Sequence, residues 1–155
     1  MIQNLEPHLA VPTAELLKAA ILESPFYSDW AKSEEMAGLS ADKLLTIPKE
    51  DVLIFLENDV VLGVLVSSHQ EAGLLWLSWC VVSPSARGRG IAGMLIEAFH
   101  DSAKARGLHK TWCDSRVGNL ASARMLEKAG YQVVATLKKH WYGLDFLIWE
   151  RLVDS

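Results

Sequence analysis

Apolar residues follow a helical period early in the chain and a strand period from about residue 50 onward. Ala14, Leu16, Leu17, Ala20 and Ile21 recur at helical spacing behind Pro12 and Thr13, and Pro25 closes the segment, which predicts a helix of about two to three turns. Ser28 ahead of Trp30 and Met36, with Gly38 as the stop, predicts a second helix, and Ser40 ahead of Leu44 and Leu45 a third, before Pro48. From Val52 the pattern changes. Residues 52–56, the polar turn Glu57, Asn58 and Asp59, and residues 60–66 predict a hairpin. Leu74–Val82, apolar apart from Ser78, predicts a strand covered on both faces.

The helical period returns with Ile91, Met94, Leu95, Ala98 and Phe99, and Gly107 after Arg106 marks its end. On this helix His100 is assigned to the polar, solvated side. Trp112 centres a short strand. Residues 121–129 then carry Met125, Leu126 and Ala129 on one side of a helix stopped by Gly130, and 133–137 and Phe146–Leu152 are strands flanking a loop with Trp141, Tyr142 and Gly143. This order predicts an α/β chain of the α+β kind, a mixed sheet with helices packed against it. No repeat or linker divides the 155 residues, so one domain over 1–155 is expected.

Charge and special residues narrow the functional classes. Nineteen acidic and fifteen basic side chains give a net charge of −4, so neither nucleic acid nor an anionic membrane is expected as a partner. Cys80 and Cys113 read as small buried hydrophobes, and the five histidines show no paired spacing, so no metal centre is expected. With no basic and apolar leader and no apolar run near eighteen residues, a cytoplasmic protein is expected.

The stretch from Val81, Val82, Ser83 and Pro84 to Arg87, Gly88, Arg89, Gly90, Ile91 and Ala92 joins a buried strand to an amphipathic helix. A glycine-rich turn there lets backbone N–H groups converge with the free donors of the first helical turn, which suits a phosphate or pyrophosphate. Arg87 and Arg89 add positive charge, although a tight turn with two solvated arginines would read the same way. No Lys-Ser or Lys-Thr follows the glycines and there is no three-glycine fingerprint, so the usual ATP- and NAD-binding loops do not fit.

The segment Arg87, Gly88, Arg89, Gly90, Ile91, Ala92 resembles the acetyl-CoA loop of the GNAT superfamily of N-acetyltransferases: Gln or Arg, any, any, Gly, any, Gly or Ala. Val81, Val82, Ser83 and Pro84 resemble the end of that family's fourth strand. Asn119 and the run Met125, Leu126, Glu127, Lys128, Ala129, Gly130, Tyr131 resemble its later helix. The likeness covers about residues 52–151, and within the family it looks nearest to the small acetyltransferases of ribosomal-protein amino termini. It implies a mostly antiparallel sheet of about six to seven strands, splayed between the fourth and fifth and flanked by about four helices. It also implies acetyl-CoA as the cofactor, with the main chain of Cys80, Val81 and Val82 on the pantetheine arm, residues 87–92 on the diphosphate, and Asn119 and Leu126 at the cofactor. Asn119 is independently a good helix cap. Homodimer formation is left open.

Acetyl transfer to an amine needs a neutral nucleophile, a site for oxyanion charge and a route for protons. Asp114 lies five residues before Asn119, where the resembled ribosomal-protein enzymes carry a glutamate base. Its shorter side chain suggests action through water, while capping the strand end or pairing with Arg116 is the plain alternative. Glu71 and His69, placed after a strand ending at Val66, are rivals. The resemblance puts the Val82 N–H at the thioester oxygen. Neither cysteine has an evident partner base, so direct transfer in a ternary complex is expected. Leu126 stands where many relatives have a proton-donating tyrosine, which draws attention to Tyr142. It also leaves a non-catalytic acyl-CoA-binding sensor as the alternative. The resemblance places Phe26, Tyr27, Trp30, Trp141 and Tyr142 along the acceptor groove, with Glu34, Glu35 and Asp145 tolerating a cationic amine. A peptide amino terminus and a small-molecule amine remain equally open as acceptor.

Overall fold

A computed structural model describes residues 1–154 of the chain. Seven strands form one sheet in the order β1-β2-β3-β4-β5-β7-β6: β1 Ile2–Asn4, β2 Val52–Glu57, β3 Val60–Gln70, β4 Leu74–Val82, β5 Lys110–Arg116, β6 Gln132–Leu137 and β7 Phe146–Leu152. The helices are α1 Ala10–Glu23, α2 Asp29–Ala37, α3 Ala41–Leu44, α4 Ile91–Ala105 and α5 Leu120–Lys128. Pairing is antiparallel for β1 with β2, β2 with β3, β5 with β7 and β6 with β7, and parallel for β4 with β5 across Leu74–Trp76 and Lys110–Trp112. The mixed, mostly antiparallel sheet with flanking helices is the architecture expected of the chain.

The fold resolves into two compact units, Met1–Val66 with Trp79–Leu95, and Ser67–Ser78 with the chain from Ile96 on. In the first, Leu5, Leu9, Leu17, Ile21, Leu44, Val52, Ile54, Val64 and Val66 make one core, against which Met36, Trp79 and Val81 pack. Its helices start as the polar residues ahead of them dictate. The Ser28 hydroxyl accepts the Ala31 N–H at 3.2 Å and the Ser40 hydroxyl the Lys43 N–H at 3.3 Å, each satisfying a first-turn donor. Gly63 of β3 has no side chain for a packing reason: a Cβ there would meet Ile91 Cγ2 at 2.9 Å and Leu95 Cδ1 at 3.0 Å. The first turns of α4 therefore rest directly on β3.

The second unit is built on β5. Thr111, Cys113 and Ser115 are buried while Trp112, Asp114 and Arg116 are half-buried on the opposite face, the period of two expected of a strand. Trp149 is fully buried and its indole N–H donates to Ser115 Oγ at 2.8 Å, so the large ring loses no hydrogen bond. Trp76 stands edge-on to Trp112 with centroids 4.8 Å apart.

The structure departs from the sequence pattern in four places. A strand at Ile2–Asn4 was not expected; three residues are too few to show a period, and pairing with β2 creates the strand. β3 does not end at Val66 but continues through Ser67, Ser68 and His69 to Gln70, so His69 is an exposed strand residue. β4 is not evenly covered, because only Leu75 and Leu77 are fully buried. His100 is not solvated. It is 7% exposed, in line with buried Ile96, Phe99 and Ala103, and its Nδ1 lies 3.0 Å from Thr111 Oγ1, itself 2.8 Å from the Tyr131 hydroxyl.

Burial holds the His100 imidazole below its ordinary value of 6.5, and Arg151 adds to the effect against the opposing pull of Glu97, Asp101 and Asp154. An unfolded chain therefore takes up this proton at higher pH than the folded one, and the contribution of neutral His100 is complete above about pH 6.5 and lost as pH falls through its folded value. Glu6, Glu57 and Asp145 are held below their ordinary values and act only at lower pH. Thermal unfolding should thus show Tm falling between pH 7 and pH 5 in the wild type and a flatter slope in His100→Gln. At pH 7.5 that variant should lose about 1 kcal/mol through its remade hydrogen bond. Parallel slopes for the two proteins would remove His100 as the source.

Candidate active site

The residues singled out by sequence fall into two groups, one in each compact unit. In the first unit, β4 ends at Val82, and the Ser83 N–H donates to the Leu62 carbonyl at 2.8 Å, fixing the strand end to β3. Pro84–Ala86 forms a 3-10 turn with Ala86 buried, and the chain then passes through exposed Arg87, Gly88, Arg89 and Gly90 into α4. Gly88 and Gly90 both sit at φ +77°, a left-handed conformation that a Cβ disfavours, and neither would meet any atom within 4 Å if given one. Around the Cβ positions of both glycines the loop is therefore open to solvent down to the backbone.

The α4 ladder begins with the Met94 N–H donating to the Gly90 carbonyl at 3.0 Å, so the N–H groups of residues 91–93 precede it and have no intrahelical acceptor. Open glycines, first-turn donors without intrahelical acceptors and the positive end of a fifteen-residue helix fit a phosphate group. Gly88, Gly90, Ile91 and Ala92 would hold it by their main chain. The arginines differ. Arg89 is engaged by Glu57 in a bidentate pair, Nη1 to Oε2 at 3.0 Å and Nη2 to Oε1 at 2.8 Å. This bond, before all else, lowers the Glu57 carboxyl and raises Arg89. In sequence Glu57 is only part of a polar turn; its partner is 32 residues away and no local pattern announces it.

Cys80 and Val81 are half-buried on β4. Burial pushes the Cys80 thiol up to about 12, so it carries no thiolate at neutral pH and is a poor nucleophile. Cys113 is buried. Phe26 and Trp30 are exposed and Tyr27 half-buried in the turn between α1 and α2 and the first turn of α2, so two large aromatic side chains are presented to solvent there.

In the second unit, Asn119 caps α5, its Oδ1 accepting the Ser122 N–H at 3.2 Å, and Leu126 is buried on the same helix. Asp114, on the half-buried face of β5 with Trp112, accepts a hydrogen bond from Trp141 Nε1 at 2.8 Å. Two residues named separately are thus brought together. Trp141, Tyr142 and Gly143 form a 3-10 turn with Tyr142 half-buried at φ 54°. Glu71 begins an exposed turn between β3 and β4. Asp145, read as tolerating a cationic acceptor, instead binds its own loop: Oδ1 accepts the Lys139 N–H at 2.8 Å and Oδ2 the Lys138 ammonium at 3.0 Å.

Residues 17–131 match the family model described as Acetyltransferase (GNAT) family. The chain belongs to that family. Among solved structures it resembles Ard1 from Thermoplasma volcanium, with a TM-score of 0.81 at 17% identity over 100% of this chain and 98% of that one. It also resembles yncA, a putative acetyltransferase from Salmonella typhimurium solved with acetyl-CoA, with a TM-score of 0.76 at 22% identity over 100% and 94%. The ribosomal-protein-alanine N-acetyltransferase of Brucella melitensis gives 0.76 at 20% identity over 98% and 99%. These likenesses extend across the family, and none singles out the ribosomal-protein subgroup. No curated protein sequence matches the chain.

The left-handed glycines give a direct test of the loop. Gly88→Ala and Gly90→Ala should each lower stability by about 1–2 kcal/mol, because the added Cβ has room but opposes the φ. Denaturant titration checks this. A cost near zero would show that the loop relaxes to another conformation.

Proposed function

We propose that the chain is a single N-acetyltransferase domain that moves the acetyl group of acetyl-CoA to a primary amine by direct transfer in a ternary complex. Family membership supports acetyl transfer, and one observation of the chain itself supports the cofactor: the open, left-handed Gly88 and Gly90 leading into the first-turn N–H groups of α4. Residues 87–92 would carry the diphosphate, the main chain of Cys80, Val81 and Val82 the pantetheine arm, and Asn119 and Leu126 would lie by the cofactor.

Acetyl-CoA supplies an acetyl thioester. The acceptor nitrogen forms the new C–N bond as the C–S bond breaks, so one proton must leave the amine and the departing thiolate must gain one. Asp114 takes the amine proton through a water molecule, and the Val82 N–H stabilises charge on the carbonyl oxygen. A thiolate with an ordinary pKa near 8.5 leaves without an obligatory acid, so Leu126 in place of a hydroxyl is compatible with turnover. The high thiol value of Cys80 argues against a covalent acetyl-cysteine route. Aromatic Phe26, Tyr27, Trp30, Trp141 and Tyr142 give acceptor-binding surface suited to a peptide end or a small amine with apolar area.

Calorimetric titration with coenzyme A tests the cofactor assignment. The wild type should bind, and Gly88→Glu or Gly90→Glu should weaken binding at least tenfold while circular dichroism stays native, because each inserts bulk and negative charge at the anion cradle. Equal affinity in the folded variants would refute the loop's role. Release of free thiol from acetyl-CoA, measured across peptides, polyamines, amino acids and aminoglycosides, then separates acceptor classes. Coenzyme A binding with no acceptor response would favour the sensor reading.

Tyr142 is assigned to the acceptor first and to protonation second. With whichever amine responds, Tyr142→Phe should raise the acceptor KM severalfold and leave kcat within a few fold. A fall in kcat beyond about a hundredfold at constant KM would make Tyr142 the proton donor.

A further inference from the structure

The segment between β6 and β7 holds two residues other than glycine at left-handed φ, Lys139 at 46° and Tyr142 at 54°. Side chains rarely adopt this conformation, and it persists where the surroundings over-determine it. Asp145 accepts the Lys139 N–H and the Lys138 ammonium. The His140 N–H donates to the Leu144 carbonyl at 2.7 Å, the Gly143 N–H to the His140 carbonyl at 3.1 Å and the Leu144 N–H to the Trp141 carbonyl at 3.0 Å. The Val117 N–H donates to the Asp145 carbonyl at 2.9 Å, which fastens the loop just beyond the end of β5. The His140 ring stands edge-on to Trp141 at 4.7 Å and to buried Phe146 at 6.4 Å.

All of this constraint converges on a tryptophan that is 53% exposed, so core burial does not account for it. The constrained loop presents the Trp141 indole N–H to a carboxylate 27 residues earlier, Nε1 to Asp114 Oδ2 at 2.8 Å. An indole N–H is a donor that carries no positive charge and cannot accept the proton in exchange. It can therefore hold one carboxylate oxygen in place without neutralising the group as an ammonium or guanidinium would.

We infer that Trp141 is a positioning residue for Asp114, with the Asp145-anchored loop as the frame that aims its indole N–H. The inference rests on the reading of Asp114 as the base, and it gives the β6–β7 loop a role in the proton transfer in addition to contact with the acceptor. Held by Trp141, Asp114 Oδ2 stays directed at the loop, which fixes the orientation of the carboxylate. Donation to the ionised form also favours that form over the protonated one.

Nuclear magnetic resonance tests this without a known acceptor. With carbon-13 labelled aspartate, the Asp114 carboxyl titration should move to higher pH by about one unit in Trp141→Phe, the effect of losing one donor to a charged group at a partly exposed site. In the wild type the Trp141 indole N–H signal should follow the same midpoint, and in Asp114→Asn it should lose that dependence. Asp145→Asn keeps the indole but loosens its frame, and should shift the Asp114 midpoint in the same direction by less. An unchanged Asp114 midpoint in folded Trp141→Phe, or an indole signal blind to Asp114, overturns the inference. An intact coupling, together with thiol release from acetyl-CoA by Asp114→Asn equal to wild type, instead overturns the reading of Asp114 as base.

Discussion

The antiparallel ladder between β5 and β7 aligns seven consecutive residues, from Lys110 opposite Leu152 to Arg116 opposite Phe146. Because side chains alternate along a strand, a slip of one residue would exchange the rows, sending Trp112 and Asp114 inward and Thr111, Cys113 and Ser115 outward. Buried groups fix the register. Ser115 receives the indole N–H of Trp149, and Thr111 binds both His100 and Tyr131, so a slip would leave several polar atoms buried without partners. The position of Asp114 is thus decided by side chains on the other face of its own strand. The same register sets where β7 begins, and with it the loop that carries Trp141 and Tyr142.

A different constraint shapes the glycine-rich loop. Gly63 lets α4 settle on β3, the Ser83 N–H ties the end of β4 to Leu62, and buried Ala86 anchors the turn between them. With both flanks held, the short path through residues 87–90 demands left-handed turns at Gly88 and Gly90. The charge there is less generous than two arginines suggest. Glu57 takes both ends of the Arg89 guanidinium, and an anion bound at this loop would be met chiefly by main-chain donors and the helix end. That pair is exposed, so its contribution to folding is small; its effect is to hold Arg89 in one direction.

How much was legible in the sequence follows from the range of the forces involved. The helix starts at Ser28, Ser40 and Asn119 were legible because a cap is a contact across three residues. The glycine loop was legible because its turn and its helix are local. β1 was not, since its three residues become a strand only by pairing with β2. β3 beyond Val66 was not, because Ser67 to Gln70 lack an apolar alternation and are held as a strand by the sheet. The misreading of His100 was avoidable in part. It falls four residues after Ile96 and three before Ala103, on the buried stripe, while its partner Thr111, bonded in turn to Tyr131, lies 11 positions on and leaves no local signal. The Asp114–Trp141 contact had no sequence signal at all, although both residues were named. Non-glycine residues at left-handed φ, such as Tyr142, carry none either.

Leu126 shows how packing and chemistry are linked in the proposed enzyme. It is 3% exposed on α5, whose remaining residues are half-buried or exposed, so it is the residue through which this short helix is anchored. A tyrosine in its place would have to bury a larger ring together with a hydroxyl, and a buried hydroxyl without a partner is costly. The side chain is therefore fixed by the demands of the helix before any demand of catalysis. Proton delivery to a departing thiolate must then come from solvent or from a group outside α5. A thiolate tolerates that arrangement far better than an alkoxide would, because its pKa lies near the working pH. In the proposed reaction the burden shifts to the amine side, where removal of one proton decides whether the nitrogen can attack, and the carboxylate proposed for that step, Asp114, is one held by Trp141.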